Sequence, residues 1–392
     1  MATLIALGAS ACGTDVQGRA ERTGPDISAL EVGNYQTEPR QVGNAKSDKQ
    51  ARARESQRLA DFVALPFEAD PAYIEDVWRL RSHIVLNRKA LAHLVINDTF
   101  DDVAEDLVGG WVNAWSTGGP PEALRRTLNI AVLMFPDPET ALRVGPALER
   151  DDFTYNRENQ PVQITGYPNT FAHWRPDFSS IGSWTVHDRY VVFIKVDDNT
   201  SAPDLPALTA QVERMLEVQL PLLDKFEPTP VDSLAHIPLD PEGIVGRTLP
   251  SDPEKPFRIE PDGFYTGRGA LTLMADPGPD ILLDWQESEM DLASFGDAVV
   301  FRNKSGEGAQ RLWQGWQASM NSSANQELVD TPTGLDSNIE CYAQATRSPD
   351  SDQVVGYNCG YRVDRYFVQV SGKNLRDLHQ RASAQYALLT SE

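Results

Sequence analysis

The feature that most limits the fold of this chain is a five-residue sequence that occurs twice. Residues 188–192 (Asp-Arg-Tyr-Val-Val) recur as residues 364–368 (Asp-Arg-Tyr-Phe-Val). Each copy begins an apolar run of strand composition, and each run leads to the last amphipathic helix of its half. Because the order of elements upstream also agrees, the pattern indicates a duplicated domain. The structural role is a turn before a buried tyrosine, and a repeated ligand contact is the alternative.

Hydrophobic periodicity divides the chain into two domains and a linker. Residues 57–226 form the first domain and residues 257–392 the second, while prolines recur without long periodicity in residues 227–256. Within the domains the patterns also predict a helix over residues 97–108 and a strand over residues 270–274. The predicted fold class is α+β, with two related domains, each an antiparallel sheet covered by helices.

The N-terminus carries a short apolar run, then small residues, then Cys12 followed by glycine. This pattern indicates a signal peptide over residues 1–11, with Cys12 as the acylated residue. No Lys or Arg precedes Cys12, and Ala9 stands where lipoprotein boxes usually carry leucine, which suggests a truncated start. A cytosolic N-terminus with an incidental cysteine is the alternative. Residues 12–56, which have few apolar anchors, are predicted to be a lipid-anchored tether, within which residues 30–35 are apolar enough to dock on the body.

The two remaining cysteines form an even pair, as expected in an oxidising compartment. Cys341 and Cys359 lie on neighbouring predicted strands, on either side of a polar loop over residues 346–353. Pairing about the loop centre would place them opposite each other, so we predict a disulfide, with two buried thiols as the alternative. A metal site with His379 matches no zinc spacing, and no metal is predicted.

Charge and hydropathy exclude two classes of function. The 392 residues carry a formal net charge of −22, which repels nucleic-acid phosphates, so no nucleic-acid partner is predicted. The hydrophobic content of 41% suffices for packed cores, but no later run approaches the ~20 apolar residues of a membrane-spanning helix. Membrane attachment is therefore predicted only through the N-terminal lipid.

The common catalytic signatures are absent from the sequence. There is no G-x-S-x-G, no H-E-x-x-H and no P-loop. The segments 267–269 (Gly-Arg-Gly) and 306–308 (Gly-Glu-Gly) lack the third glycine of a dinucleotide site and are interpreted as turns. His187 beside Asp188 could be a general base, but a hairpin turn is favoured. We therefore predict no catalytic residue and no cofactor.

Two further residue groups have a functional and a structural interpretation. The acids between residues 98 and 106 could hold calcium, but the EF-hand glycine and spacing are missing, so helix-terminal acids are favoured. The acids between residues 197 and 204 are interpreted as a solvated loop. Tryptophans could line an apolar ligand site, and packing in the core is the favoured interpretation. The residues concerned are Asp98, Asp101, Asp102, Asp106, Asp197, Asp198, Asp204, Trp111, Trp115, Trp174, Trp184, Trp313 and Trp316.

Several short segments carry a resemblance. They are residues 12–13, residues 32–40 (Val-Gly-Asn-Tyr with Thr37 and a Pro-Arg pair) and residues 239–241. With them the chain resembles an uncharacterised family of two-domain actinobacterial lipoproteins, which implies an envelope location and no assigned activity. The last ~100 residues are also similar to extracellular sensor domains of actinobacterial receptor kinases. Those domains usually carry two disulfides and this chain can form one, so their ligands and signalling roles are not carried over.

Together these features predict a cell-envelope lipoprotein, anchored by lipid to the outer face of the cell membrane. The leading hypothesis is an extracytoplasmic binding or scaffolding protein rather than an enzyme, with an unknown small molecule or envelope protein as its partner. The alternative is an envelope hydrolase or transferase with an unrecognised active site. A perturbed histidine or carboxylate among converging polar groups in one deep pocket would favour the enzyme, and a dry apolar groove would favour binding. The sequence leaves the oligomeric state open.

Overall fold

The computed structural model describes residues 25–77, 80–95, 98–119, 123–256, 258–274, 281–335, 338–348 and 351–391. It contains two antiparallel sheets, one in each half of the chain, which confirms the predicted fold class. The strands of the first sheet are β1 (Tyr73–Asp76), β2 (His83–Ile84), β3 (Gly109–Thr117), β4 (Arg126–Met134), β5 (Gln160–Val162), β6 (Thr170–Trp174), β7 (Ser180–His187) and β8 (Tyr190–Asp198). Those of the second are β9 (Gly263–Thr266), β10 (Met290–Phe295), β11 (Ala298–Asn303), β12 (Gln326–Val329), β13 (Ile339–Ser348), β14 (Ser351–Val363) and β15 (Tyr366–Gly372).

Helices lie between the strands and after them. The first half contains α1 (Asp48–Leu59), α2 (Pro66–Ala69), α3 (Phe100–Val103), α4 (Pro138–Tyr155) and α5 (Leu205–Leu223). The second half contains α6 (Val231–Leu234), α7 (Gly267–Leu271), α8 (Ile281–Ser288), α9 (Gly306–Ser322) and α10 (Leu375–Thr390). None of the described helices is both long and apolar enough to cross a membrane.

The two sheets have the same topology. The strand order is β1-β3-β4-β8-β7-β6-β5 in the first and β9-β10-β11-β15-β14-β13-β12 in the second, so each strand except the two-residue β2, which pairs with β3, has a counterpart at the same place in both chain order and sheet order. The pair α4 and α9 follows the third strand of this shared order, and the pair α5 and α10 closes each domain. This agreement confirms that the two domains are related.

The repeated pentapeptide forms the same turn in both domains. Asp188 has φ +49° and Asp364 has φ +48°, a left-handed conformation that aspartate tolerates better than most residues. The turn leads into β8 in the first domain and into β15 in the second. The structural interpretation of the motif therefore explains why the aspartate recurs.

Side chains of the last strand alternate between the two covering helices of each domain. In β8, Val191 and Phe193 face the core under α4, while Val192 and Ile194 face the core under α5. The core under α5 is continuous with the core under α9 of the second domain, since Leu312 and others there belong to the same cluster. The two domains therefore share one apolar core.

Helix α1 lies between the two sheets and contacts β3 and β9. Its arginines bind backbone carbonyl groups: Arg52 donates to Leu86 O at 2.9 Å, and Arg54 donates to Phe264 O at 2.7 Å with its guanidinium 3.8 Å from that ring. Burial lowers the pKa of Arg54 to about 10. Because these contacts need no apolar stripe, the sequence of α1 gives no periodic signal.

This arrangement differs from the tether predicted for residues 12–56. The last third of that stretch forms most of α1, and Ala51 and Ala53 are 1% exposed. The residues of the proline-rich stretch 227–256 also pack, with Ile237 and Leu249 buried. The backbone of Ala45 donates to Ile237 O at 2.9 Å, which joins the two stretches.

The segment 267–269 joins the domains. Gly267 has φ +46°, and a Cβ there would lie 1.8 Å from Asp61 Oδ1. That carboxylate accepts from Arg268 N at 2.8 Å, and the Arg268 guanidinium forms an ion pair with Glu68 at 2.8 Å. The strand predicted over residues 270–274 is wrong, because Gly267 and its neighbours begin the short helix α7 against this acidic partner.

A second correction concerns residues 97–108, predicted to be one helix. Only Phe100–Val103 is helical, and the remaining described residues form turns before β3. Asp98 and Asp101 bind Arg88 from an earlier loop, at 3.5 and 3.9 Å. Asp98 precedes this short helix and Asp101 lies within it, and both contact Arg88.

Candidate functional site

The predicted disulfide is present. Cys341 and Cys359 are directly opposite on β13 and β14, are fully buried, and are joined by a disulfide with a Cα–Cα distance of 4.1 Å. Register places them at the positions that Ala172 and Ser183 occupy in the first domain. The predicted acylation site Cys12 lies outside the described residues.

The other chemistry-bearing residues weighed in the sequence have local partners. His187 Nε2 lies 2.7 Å from Asp224 Oδ1. The next residue in the sequence, Asp188, forms the turn and is not the partner of this imidazole. His379 Nε2 lies 2.7 Å from the carbonyl oxygen of Asp330, away from the disulfide. Within the part of the chain that the structure describes, no group of three His, Cys, Asp or Glu residues could hold a metal ion.

The loop acids have structural partners that differ in part from the favoured interpretations, since Asp197 and Asp198 end strand β8 rather than lying in a solvated loop, and Asp106 lies in a turn rather than at a helix terminus. Asp106 forms an ion pair with Arg143 at 2.9 Å. Asp204 caps α5 by accepting from Ala207 N at 3.1 Å. Asp198 accepts from Thr200 N at 2.8 Å, and such hydrogen bonds lower the pKa of its carboxyl.

The tryptophans pack in the core. Trp111, Trp115 and Trp184 are at most 2% exposed, and Trp313 and Trp316 are less than 10% exposed. Trp174 is half-buried against the same cluster. Core packing is therefore confirmed for all six.

The strongest candidate site is a groove of about 800 Å³ beside the edge strand β5. It lies between the end of α4 and the connection from β5 to β6. Its apolar lining includes Phe153, Val162, Ile164, Tyr167 and Phe171. Phe171 is 42% exposed, an unusual position for a phenylalanine on a strand. Size and lining match small-molecule sites, which are mostly apolar with a few polar groups.

One carboxylate reaches this groove, and it belongs to a buried charged cluster. Glu149 of α4 lines the groove, and its Oε1 lies 3.7 Å from His173 Nδ1. His173 Nε2 lies 3.6 Å from Asp152 Oδ2, which also accepts from Trp184 Nε1 at 3.1 Å. Burial raises the pKa of the Asp152 carboxyl.

The geometry of this cluster does not suit catalysis by His173. Both imidazole–carboxylate distances exceed hydrogen-bond length, and His173 Nδ1 is buried without a partner among the described residues. The edge of Phe153 packs on the imidazole with ring centroids 5.6 Å apart. A general base must reach the substrate proton, and His173 is 7% exposed. The cluster therefore contributes charge to the groove wall rather than a reacting group.

The second domain has a buried polar side chain with hydrogen-bond partners at the position equivalent to His173. Register places Tyr342 of β13 where the first domain has His173. The Tyr342 hydroxyl donates to Glu340 Oε2 at 2.6 Å and lies 3.1 Å from the side-chain amide of Asn321, and its ring packs edge-on against Trp316. A buried polar side chain is fully paired there, in contrast to His173. The groove and its cluster are thus a specialisation of the first domain.

Sequence reasoning did not identify this site. Its residues come from α4, β5 and β6, and no short motif joins them. The available signal was Phe171 in an alternating strand pattern, on a face that also carries His173.

Two family models match the chain. Residues 42–239 match the N-terminal domain of unknown function DUF7373, and residues 244–392 match its C-terminal counterpart. The comparison with curated proteins found no match. Among solved structures, the extracellular domain of PknH from Mycobacterium tuberculosis aligns at 12% identity and a TM-score of 0.29, covering 43% of this chain and 97% of that one. The di-domain ARO/CYC StfQ from the steffimycin biosynthetic pathway aligns at 8% identity and a TM-score of 0.17, covering 88% and 94%. At these scores neither likeness carries an argument.

Proposed function

The chain belongs to the DUF7373 family, with both of its domains, and on this premise we propose that it is an extracytoplasmic lipoprotein that binds a small amphipathic molecule. The observation that carries the proposal is the apolar groove beside β5, with the single carboxylate Glu149 in its wall. The proposal also includes acylation at Cys12.

The extracytoplasmic setting is supported by the cysteines. A buried disulfide between Cys341 and Cys359 persists in an oxidising compartment and is rare in the cytosol. The apolar and small residues before Cys12 would then act as a signal peptide, and a lipid on Cys12 would keep the protein at the membrane surface.

The groove favours an apolar ligand with a cationic or N–H donor group. Phe153, Ile164 and Phe171 offer apolar surface, and the Glu149 carboxylate offers a hydrogen-bond acceptor. Acids of α5 lie close by: burial raises the pKa of Tyr167, and the charges of Glu217 and Glu213 raise it further. With a net charge of −22, this surface would repel an anionic head group.

Binding is a better explanation of the groove than catalysis. A hydrolase or transferase would need His173 or Asp152 within reach of a bound substrate, and Glu149 and Phe153 separate both from the groove. The enzyme hypothesis therefore requires a rearrangement of α4 that the binding hypothesis does not.

A fluorescent displacement assay tests the groove. Purified protein is loaded with the neutral apolar dye N-phenyl-1-naphthylamine, which is displaced with octyltrimethylammonium or octyl sulfate, a pair matched in chain length and opposite in charge. We expect the cation to displace the dye at concentrations at least tenfold lower. Phe171→Ala should weaken dye binding about tenfold, since a buried phenylalanine contributes about 1.5–3 kcal/mol.

The matched control is Phe178→Ala, because Phe178 is 48% exposed and lies outside the groove. It should leave dye binding unchanged, and Glu149→Gln should abolish the preference for the cation. If Phe171→Ala binds the dye as tightly as Phe178→Ala does, the groove is not the binding site. Mass spectrometry of protein purified from its native membrane then identifies the natural ligand.

A further inference from the structure

A separate cavity of about 150 Å³ lies where α5 begins, beside the ends of β4 and β8. Arg126, Arg214 and Gln211 line it together with Tyr73 and two carboxylates, Asp198 and Asp204. It shares no residue with the groove beside β5. The two sites can therefore be tested independently.

Gln211 has an unpaired donor in this wall. It is 3% exposed, and its Oε1 accepts from the guanidinium of Arg214. Because two donors cannot face each other, this contact fixes which amide atom is nitrogen. Gln211 Nε2 has no hydrogen-bond partner among the described residues. Leaving such a buried donor unpaired is unfavourable, and a bound acceptor would remove that penalty.

The two arginines are also only partly paired. Arg214 forms no ion pair with any described residue, and Arg126 has its nearest carboxylate, Asp70, at 3.5 Å. Asp198 accepts from the hydroxyl groups of Thr200 and Ser201, and its carboxylate shares the cavity wall with the two arginines.

The second domain again provides an internal comparison. Gln211 lies seven residues after the capping Asp204 of α5, and Arg381 lies seven residues after the capping Asn374 of α10. Arg381 pairs with Asp297 at 3.1 Å and with Asp377 at 2.9 Å. The second domain thus pairs the cation at this place with two carboxylates, whereas the first domain has the amide of Gln211 there, in a cavity wall that Arg126 and Arg214 share with Asp198 and Asp204.

We propose that this cavity binds the carboxylate group of a small organic acid. The two carboxylate oxygens accept from Gln211 Nε2 and the guanidinium of Arg214, and Arg126 adds positive charge. A cavity of this size accommodates about six to eight non-hydrogen atoms, as a benzene-sized cavity does. A singly charged carboxylate fits better than phosphate, which carries more negative charge at neutral pH, because Asp198 also lines the cavity.

Butyrate is the probe, and its uncharged amide, butyramide, and inorganic phosphate are the controls. Calorimetry and NMR of protein labelled with ¹⁵N in glutamine side chains follow binding. We expect butyrate to bind with a millimolar or lower dissociation constant and to shift one buried side-chain amide signal, which Gln211→Leu removes. No butyrate signal at 50 mM (about ten or more times that constant), or equal binding of butyramide or phosphate, would overturn the proposal.

Variants separate this site from general charge effects. Arg214→Met should weaken butyrate at least tenfold, whereas Arg157→Met, at an exposed arginine outside the cavity, should not. Gln211→Leu should weaken butyrate and raise the thermal midpoint of the ligand-free protein, because it removes an unpaired buried donor. If Gln211→Leu lowers the midpoint and leaves butyrate affinity unchanged, Gln211 is structural and the proposal fails. Dye binding in the groove should stay unchanged throughout.

Discussion

Trp111 of the first domain and Tyr265 of the second pack edge to face, with ring centroids 5.1 Å apart. Tyr265 in turn stacks on Phe295 at 5.4 Å, so the contact links the two apolar cores. Trp111 and Tyr265 are both fully buried. A contact of this kind is typical of a domain core rather than of two independently mobile domains.

The first prediction concerns cooperativity. Since the cores are continuous and α1 contacts both sheets, the described body should unfold in one transition. Fragments 57–226 and 257–392 would each expose part of the shared core, and we expect neither to fold alone. Calorimetry of the whole chain and circular dichroism of the fragments check this. Two separate transitions, or two folded fragments, would contradict it.

The second prediction concerns the junction at Gly267. Gly267→Ala would force a side chain into a left-handed backbone and against Asp61, so it should destabilise the protein by about 2–3 kcal/mol. Gly243→Ala is the matched control, because Gly243 has φ +67° and no atom within 4 Å of a built Cβ. It should cost about 1 kcal/mol. Urea unfolding measures both, and equal losses would show that the contact with Asp61 is unimportant.

The third prediction concerns the disulfide. Its two cysteines are 18 positions apart, and closing such a loop stabilises the folded state by about 3 kcal/mol in the chain-entropy model. The double variant Cys341→Ala, Cys359→Ser reproduces the pair at the equivalent position of the first domain, so it should fold with that loss of stability. Urea unfolding measures the loss. A midpoint unaffected by the double variant would mean that the bridge does not stabilise the domain.

The fourth prediction concerns pH. Burial raises the pKa of Asp152 above its ordinary value of 3.8, so the folded state favours the protonated form. The contribution of this group to stability is present in acid and is lost as the pH rises from about 4 through the folded pKa. Asp152→Asn should therefore be more stable than wild type at pH 7, with the difference shrinking toward pH 3.5. Thermal unfolding across this range checks it, and a constant difference would exclude the titration.

The fifth prediction concerns Cys12. Expressed with its complete native signal, Cys12→Ala should either release the protein from membranes or leave an unprocessed precursor. Membrane fractionation and mass spectrometry of the N-terminus distinguish the outcomes. Unchanged attachment and processing would rule out acylation at this residue.

The sequence was most informative where stability depends on local patterns. The alternation in β8, the turn at Asp188 and the pairing of Cys341 with Cys359 depend on neighbours along the chain or on one hairpin. Helix α1 was missed because Arg54 and its neighbours bind carbonyl groups that belong to distant residues. The groove and the cavity at Gln211 arise because some apolar and polar side chains have no tertiary partner. A pattern of residue types along the sequence does not reveal which side chains these are.

The position of α1 has a consequence for the order in which the protein is assembled. Arg54 binds the carbonyl group of Phe264, which is made 210 residues later. A chain synthesised from its N-terminus therefore completes this helix's contacts only after β9 has emerged. Until then α1 lacks this partner, and an isolated helix of 12 residues is only marginally stable. The polar composition of α1 keeps this segment soluble while it is unpacked. The least apolar helix of the interior can therefore be the last to fold.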